Sequence, residues 1–377
     1  MTLTPACRST ALVLLSVVAL LAGCAGPAPA PVPEGLGPTQ ARRAVTALLR
    51  DKTPDAQGWA ADIHAALATL ELPSTVHNLC AVMAVIEQES GYSADPAVPG
   101  LPAIAWKEIE RRAGEAGVPM LMVRAALAIA STDGRSYAER IDAVKTERQL
   151  SEIFEDFIGR VPLGKRFLAN SNPVRTGGPM QVSVAFAQAQ AEARPYPYEV
   201  RDSIRHEVFT RRGGIYFGTA HLLAYEAPGY DATIYRFADF NAGRYASRNA
   251  AFQSALGVAT GLPLALDGDL VSRGNPHGGE TERAALTLAH RLRLSEGEVR
   301  RDLDKGDEAG FEKTTLYQRV FAYAEELDAR KLPRAVLPRI ELKSPKTTRK
   351  LTTQWFATRV DERYRRCVDR LAALATN

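Results

Sequence analysis

Two carboxylates, Glu87 and Glu89, close an apolar stretch, and their placement suits acid–base chemistry. The stretch 75–90 (TVHNLCAVMAVIEQES) predicts a helix with Val76, Leu79, Cys80, Met83 and Ile86 on one face. Pro73-Ser74 starts it and Gly91 can stop it. At a helix C-terminus the macrodipole is negative and opposes a carboxylate's charge, and apolar neighbours act in the same direction. A glutamate held there stays protonated nearer neutral pH and can hand a proton to a leaving oxygen. Glu87 and Glu89 are about 200° apart around such a helix, so they cannot both face one groove. Taken alone, either is better read as a solvated helix-end charge.

Three further segments accompany this one. Gly177-Gly178-Pro179-Met180-Gln181-Val182 is a Gly/Pro-constrained loop. Gly213-Gly214-Ile215-Tyr216-Phe217-Gly218-Thr219-Ala220-His221-Leu222-Leu223 and Ala238-Asp239-Phe240-Asn241-Ala242-Gly243 have helical character. Other chemistries find no support. The glycine pairs sit in neither GxxxxGK[ST] nor GxGxxG, and there is no GxSxG elbow. CxxC and HExxH are absent, His206-Glu207 opens no zinc motif, and no metal or cofactor is expected.

Taken in order, with Glu-Ser followed by an aromatic and a proline (Tyr92, Pro96), the four segments resemble the lytic transglycosylases of the lysozyme-like superfamily. They are more distantly similar to goose-type lysozyme. The resemblance covers short pieces of residues 75–250 and nothing recognisable beyond about 260. The whole chain also resembles a proteobacterial lipoprotein family of uncharacterised function. The first resemblance implies a glycan-cleaving enzyme acting on the β-1,4 bond between N-acetylmuramic acid and N-acetylglucosamine of peptidoglycan. It selects Glu89 as the acid/base and leaves Glu87 as a surface charge or ion-pair partner. Ser90 would orient Glu89. Gln181 and Asn241, at a helix start, would offer amides to N-acetyl groups. Tyr92 and Met180 would wall sugar faces, and Gly178, Tyr216 and Phe240 complete the implied substrate site. Asp239, at a variable position of the pattern, reads as solvent-facing or a helix N-terminal charge. Arg175, Arg211 and Arg212 flank the segments, either for acidic peptide stems or as ordinary ion pairs. The alternatives are a muramidase, which needs a second carboxylate that the sequence does not point to, and a non-catalytic wall-binding lipoprotein.

The chain departs from the pattern in three places. Phe240 replaces the usual tyrosine, so its hydroxyl is missing unless Tyr245 or Tyr235 supplies one. Pro179 replaces a common leucine. Glu89 and Gly178 are much further apart in sequence than in the family, so residues 93–171 must leave the core as an insertion and return, with a roof over the groove as one use for it.

The elements that position these residues are helical. Residues 39–72 predict two amphipathic helices broken at Thr53-Pro54-Asp55, and Thr146–Gln149 has capping-box spacing. There is no internal repeat and no sustained strand alternation. The expected fold is mainly α: a lysozyme-like domain over 41–260, with its insertion at about 93–171, and a smaller helical C-terminal region over 261–377. A Gly/Pro-rich stretch at 257–280 marks the boundary between them.

With 377 residues, 46% hydrophobic and 24% charged, the chain is too long for one typical domain and too ordinary in composition for disorder. Its +4 charge, from 47 basic and 43 acidic residues, gives no case for nucleic acid as a partner. The first residues read as an address. Arg8 precedes an apolar run, Ala11–Ala22, that fits a signal-peptide core, and the run ends in Leu21-Ala22-Gly23-Cys24. That ending resembles a bacterial lipobox, which implies removal of residues 1–23 and lipidation of Cys24. Ala25 after the cysteine implies sorting to the outer membrane, with the folded body on its periplasmic face. Residues 24–40 are then the lipidated cysteine and a Pro-rich tether. The expected partners are peptidoglycan strands and, through the lipid, the membrane. The remaining cysteines, Cys80 and Cys367, are compatible with a disulfide in an oxidising compartment or with two buried thiols. The basic stretch 330–350 reads as an exposed loop in preference to an anionic-surface contact.

Overall fold

The structure is a computed structural model that describes residues 35–49, 53–161, 163–168, 171–272, 274, 278–342 and 351–375. The expected signal peptide, the expected lipidation site Cys24, most of the expected tether and 343–350 of the basic stretch lie outside the described residues. The fold is mainly α. Among the described residues, strand structure apart from isolated bridges is limited to two short antiparallel ladders: β1 (Thr176–Gly177) with β2 (Val182–Ser183), and β3 (Glu341–Leu342) with β4 (Leu351–Thr352).

Helix α1 (Pro38–Leu49) opens on a proline, whose fixed φ and missing N–H suit the first helical position. The tether expected up to residue 40 therefore gives way to helix at Pro38. Asp55 caps α2 (Ala56–Thr69) by accepting from Gly58 N, and Thr75 caps α3 (Val76–Glu89) by accepting from Asn78 N. The insertion holds α4 (Leu101–Glu115), α5 (Met120–Leu127), α6 (Tyr137–Asp142), α7 (Glu147–Arg160) and α8 (Gly164–Leu168). Then follow α9 (Val184–Ala193), α10 (Ile204–Val208), α11 (Arg211–Leu223), α12 (Ile234–Ala242) and α13 (Ala246–Thr260). The last helices are α14 (Glu280–Thr287), α15 (Glu296–Leu303), α16 (Thr315–Asp328) and α17 (Thr353–Ala375).

Three apolar cores organise these helices. The first joins α1, α2, α3, the β1–β2 hairpin, α11, α12 and α17. Its centre is α3, buried at every position from Leu79 to Ile86. A helix with an apolar stripe packs on one side only; α3 is apolar all round over these turns, so neighbours cover every side. Each large side chain removed from water there contributes roughly 1.5–3 kcal/mol. The second core, built on α13–α16, includes Phe252, Leu256, Phe311 and Phe321. The insertion encloses a core of its own around Leu101, Tyr137, Ile141 and Ile153. Asp95 ties its entry to the start of α7 by accepting from Arg148 Nε at 2.9 Å and Thr146 Oγ1 at 3.1 Å.

The apolar cores do not change over at residue 260, the division expected from the sequence. The second core already begins in α13, before the Gly/Pro-rich stretch, and α17 leaves it for the first core through Phe356, Val360, Tyr364 and Leu371. Burying that stripe against α3 is the physical reason. A disulfide, Cys80–Cys367, joins the two helices with Cα atoms 5.5 Å apart. From Gly35 onward the described chain clusters as one unit.

Candidate functional site

Glu89 is the last residue of α3 and is partly buried. Ser90 caps the helix, and its hydroxyl donates back to Ile86 O at 3.0 Å. Tyr92 takes a left-handed conformation (φ 65°), which turns the chain back over α3. Its hydroxyl donates to Met83 O at 3.1 Å and its ring meets Trp59 edge-on at 5.4 Å. Burial, reinforced by the negative charge of Glu87, pushes the Tyr92 hydroxyl far above its ordinary range, so it stays protonated. Glu87 is on the exposed side, 3.5 Å from Arg363 and 3.9 Å from Arg366 of α17.

The second segment forms the turn of the β1–β2 hairpin. Gly178 has φ +72°, and a Cβ there would sit 2.0 Å from Val208 O, so only glycine fits. Gln181 is also left-handed (φ 50°), and its side-chain amide donates to Gly178 O at 3.2 Å. Met180 is fully buried, and the turn docks flat on α11. A Cβ on Gly214 would meet the Pro179 ring at 2.4 Å, and one on Gly218 would meet Met180 Sδ at 2.4 Å. Glycines one helical turn apart thus make the bed for the hairpin.

The third and fourth segments meet at His221, whose ring lies 5.2 Å from Phe240 and 4.7 Å from Phe186. Burial, followed by the charge of Arg244, lowers the His221 pKa to about 4, so the ring is neutral at pH 7. Arg244 lies over Phe186 and donates to Ala220 O at 2.6 Å. Asn241 is exposed in the last turn of α12, and its Oδ1 accepts from Thr353 Oγ1, at the start of α17, at 3.1 Å.

The four segments therefore converge. Met83 and Ile86, Met180 and Val182, Tyr216 and Phe217, and Phe237 and Ala238 share the first core, with Tyr92 and Phe240 packed against it. Several individual expectations are corrected. Met180, Gly178 and Tyr216 are buried and wall no groove. Met180 is held by Gly218, and Tyr216 packs between Tyr196 and Phe217. Asn241 lies at a helix end, because Gly243 (φ 112°) breaks the chain before α13. Asp239 is 1% exposed. It accepts from the hydroxyls of Tyr230 at 2.5 Å and Tyr225 at 3.0 Å, and from the backbone N–H groups of Ser247 at 2.7 Å and Tyr245 at 3.0 Å. Burial still holds its pKa above the ordinary range. Tyr245 is buried against Arg248 and Tyr225. Arg211 is engaged by Asp55 and Asp62, and Arg212 by Glu207, whereas Arg175 is exposed.

Sequence reasoning passed over one feature. A cavity of about 240 Å³ opens between α1, α3 and α17, and its wall contains Glu87 instead of Glu89. Arg363, Arg366 and Arg370, spaced i, i+3, i+7 along α17, face it. That spacing was readable; which helix they would oppose was not. Among the described residues no three or more His, Cys, Asp or Glu are grouped to hold a metal ion, and no helix is long and apolar enough to cross a membrane.

The class defined here is a mainly helical protein whose central helix ends in a carboxylate, shares its core with a glycine-bedded hairpin and is bonded to the last helix. The chain belongs to the family described as a protein of unknown function (DUF1615), which matches residues 52–370. It is 51% identical over 358 residues to the Uncharacterized protein YaiW of Escherichia coli (strain K12), spanning 94% of this chain and 96% of that relative. No solved structure matches it. The whole-chain likeness to an uncharacterised family is thus found, while neither the family nor the relative is named for a lytic transglycosylase.

Proposed function

We propose that this chain is a lipid-anchored, peptidoglycan-cleaving protein of the lytic transglycosylase type, with Glu89 as its acid/base. The observation that supports this reading most is the gathering of the four segments, distant in sequence, around one core with Glu89 on the terminal turn of its central helix. In the proposed reaction Glu89 gives its proton to the glycosidic oxygen as the C1–O bond breaks. The substrate's N-acetyl oxygen shields the cationic C1. Glu89, now a carboxylate, takes the proton of the sugar's 6-hydroxyl, whose oxygen closes on C1 to give the anhydro ring. The acid is thereby regenerated without a second carboxylate. Cys24 would carry the lipid and hold the body on the periplasmic face of the outer membrane.

A second reading, a wall-binding lipoprotein without turnover, draws support from two observations. Phe240 brings no hydroxyl, and the cavity beside α3 lies on the side of Glu87. A muramidase would need water and another carboxylate, and Asp239, the acid of the fourth segment, is buried among four donors.

The deciding experiment is muropeptide mass spectrometry of sacculi digested with the chain from Ala25 onward, beside Glu89→Gln. Anhydromuramyl products that disappear in the variant support the first reading. Reducing-end products move the assignment to a hydrolase. Sacculi that are bound but uncut by either protein support the binding reading.

A further inference from the structure

We infer that the cavity between α3 and α17 is a binding site for a carboxylate-bearing peptide, the acidic stem of the wall polymer. The ligand's identity rests on the peptidoglycan reading above; the chemistry of the site rests on the following.

Among the described residues, three guanidinium groups face a single carboxylate across this cavity, an excess of two positive charges. The carboxylate present, Glu87, satisfies them poorly. It stands 3.5 Å from Arg363 Nε and 3.9 Å from Arg366, within ion-pair range but too long for good hydrogen bonds. Arg363 Nε is buried and has no hydrogen-bond partner among the described residues. Arg363 is also held in place, since its Nη1 donates to Arg359 O at 3.0 Å. Arg363 thus marks a wall short of acceptors, and the exposed Arg366 and Arg370 on the same face are the groups that a ligand carboxylate can reach.

The rest of the cavity suits a peptide better than a bare ion. Met83 and the ring of Tyr92 add apolar surface to the wall, so the site offers charge on one side and contact area on the other. At about 240 Å³ it can take a few side-chain-sized groups. Cys367 lies on the same wall, and its bond to Cys80 fixes the arginine face in register with α3. The arginines first placed for this task, Arg211 and Arg212, are already engaged by Asp55, Asp62 and Glu207.

The test is calorimetric titration of the soluble chain with the alanyl-glutamyl-diaminopimelate tripeptide, beside Arg366→Ala/Arg370→Ala. Both arginines are exposed, so the variant should keep its thermal unfolding midpoint. Two lost charge-assisted contacts should weaken binding by about tenfold or more, and added salt should weaken the wild type. No binding, equal binding by the variant, or equally tight binding of inorganic phosphate would overturn the inference. In parallel the same protein is given glycan strands stripped of peptide. Cleavage of stripped strands without tripeptide binding sinks the peptide site and leaves the enzyme reading standing. Tripeptide binding without cleavage of either stripped strands or intact sacculi upholds the site and sinks turnover.

Discussion

Replacing Gly218 by alanine tests whether the Gly-Pro-Met-Gln turn is seated on α11 as described. The added Cβ would fall 2.4 Å from Met180 Sδ, 2.6 Å from its Cβ and 3.0 Å from its Cε. Carbon atoms in contact prefer about 3.5–4.0 Å, so two contacts are short by about an ångström. The Sδ end can swing away; the Met180 Cβ cannot move without moving the hairpin. Overpacking of this kind costs about 1–3 kcal/mol, and the rigid Cβ contact argues for the upper part of that range. Alanine recovers about 1 kcal/mol of helix propensity over glycine, leaving a net loss of about 1–2 kcal/mol. Met180→Ala alone should cost roughly 2–5 kcal/mol, because the side chain is fully buried. In the double variant the Sδ and Cε clashes vanish but the Cβ contact remains. The two losses should therefore fall short of additivity by about 1 kcal/mol, within the usual range for touching residues. Urea unfolding of the four proteins, followed by circular dichroism, supplies the cycle. A Gly218→Ala protein as stable as the parent, or strict additivity, would refute the seating of Met180 on Gly218.

Other outcomes follow from the same structure. Cys80→Ser/Cys367→Ser should lower the urea midpoint. Loop entropy for a 287-residue separation gives about 5–6 kcal/mol, and measured losses for native bridges run about 2–5 kcal/mol, so an unchanged midpoint would count against the bond's role. Asp239→Ala should cost about 1–3 kcal/mol for each donor left unpartnered among Tyr225, Tyr230, Tyr245 and Ser247, enough to abolish a cooperative transition at 37 °C. His221 has its folded pKa lowered, so the folded state resists a proton that the unfolded chain accepts. Its effect is absent at pH 7 and above. Stability is lost progressively as pH falls from about 6.5, the unfolded value, to about 4, and the loss levels off below that. His221→Gln should flatten that part of the pH profile of the urea midpoint, and an unaltered profile would show that His221 is not the group responsible.

Much of the helical framework was legible because its signals are local. Thr146 with Gln149 reads as a capping box and forms one. The break at Thr53-Pro54-Asp55 appears where turn residues cluster. The apolar face of α3 was visible as Val76, Leu79, Cys80, Met83 and Ile86, but Ala81, Val82, Ala84 and Val85 are buried as well. Which helices surround a helix is a property of the whole chain, and α17 supplies the cover from far along the sequence. The same blindness put α17 in a C-terminal unit, because the Gly/Pro-rich stretch signals an end of helix and not a change of core. At the candidate site, Glu89, Gly178 and Gln181 were marked by the resemblance, and at 178 the backbone has room for glycine alone. Burial was not so marked. Met180 and Tyr216 are as able to wall a groove as to fill a core, and only their neighbours decide. Asp239 was misread for a related reason: its four donors come from residues 225–247 folded back around it, an arrangement no periodicity announces.

The bond between Cys80 and Cys367 also changes what a protease can do to this protein. Any single cut between those two positions yields two fragments that stay covalently joined. The exposed connection at Ala116-Gly117-Val118, between α4 and α5, is such a place. Nicked there, the chain would run at full length on a non-reducing gel and split only after reduction. If Cys24 bears a lipid, the piece that carries it would keep the piece that carries α17 from washing away. With that lipid in place the disulfide would be a retention device as well as a cross-link, conferring tolerance of damage at the rim of the insertion.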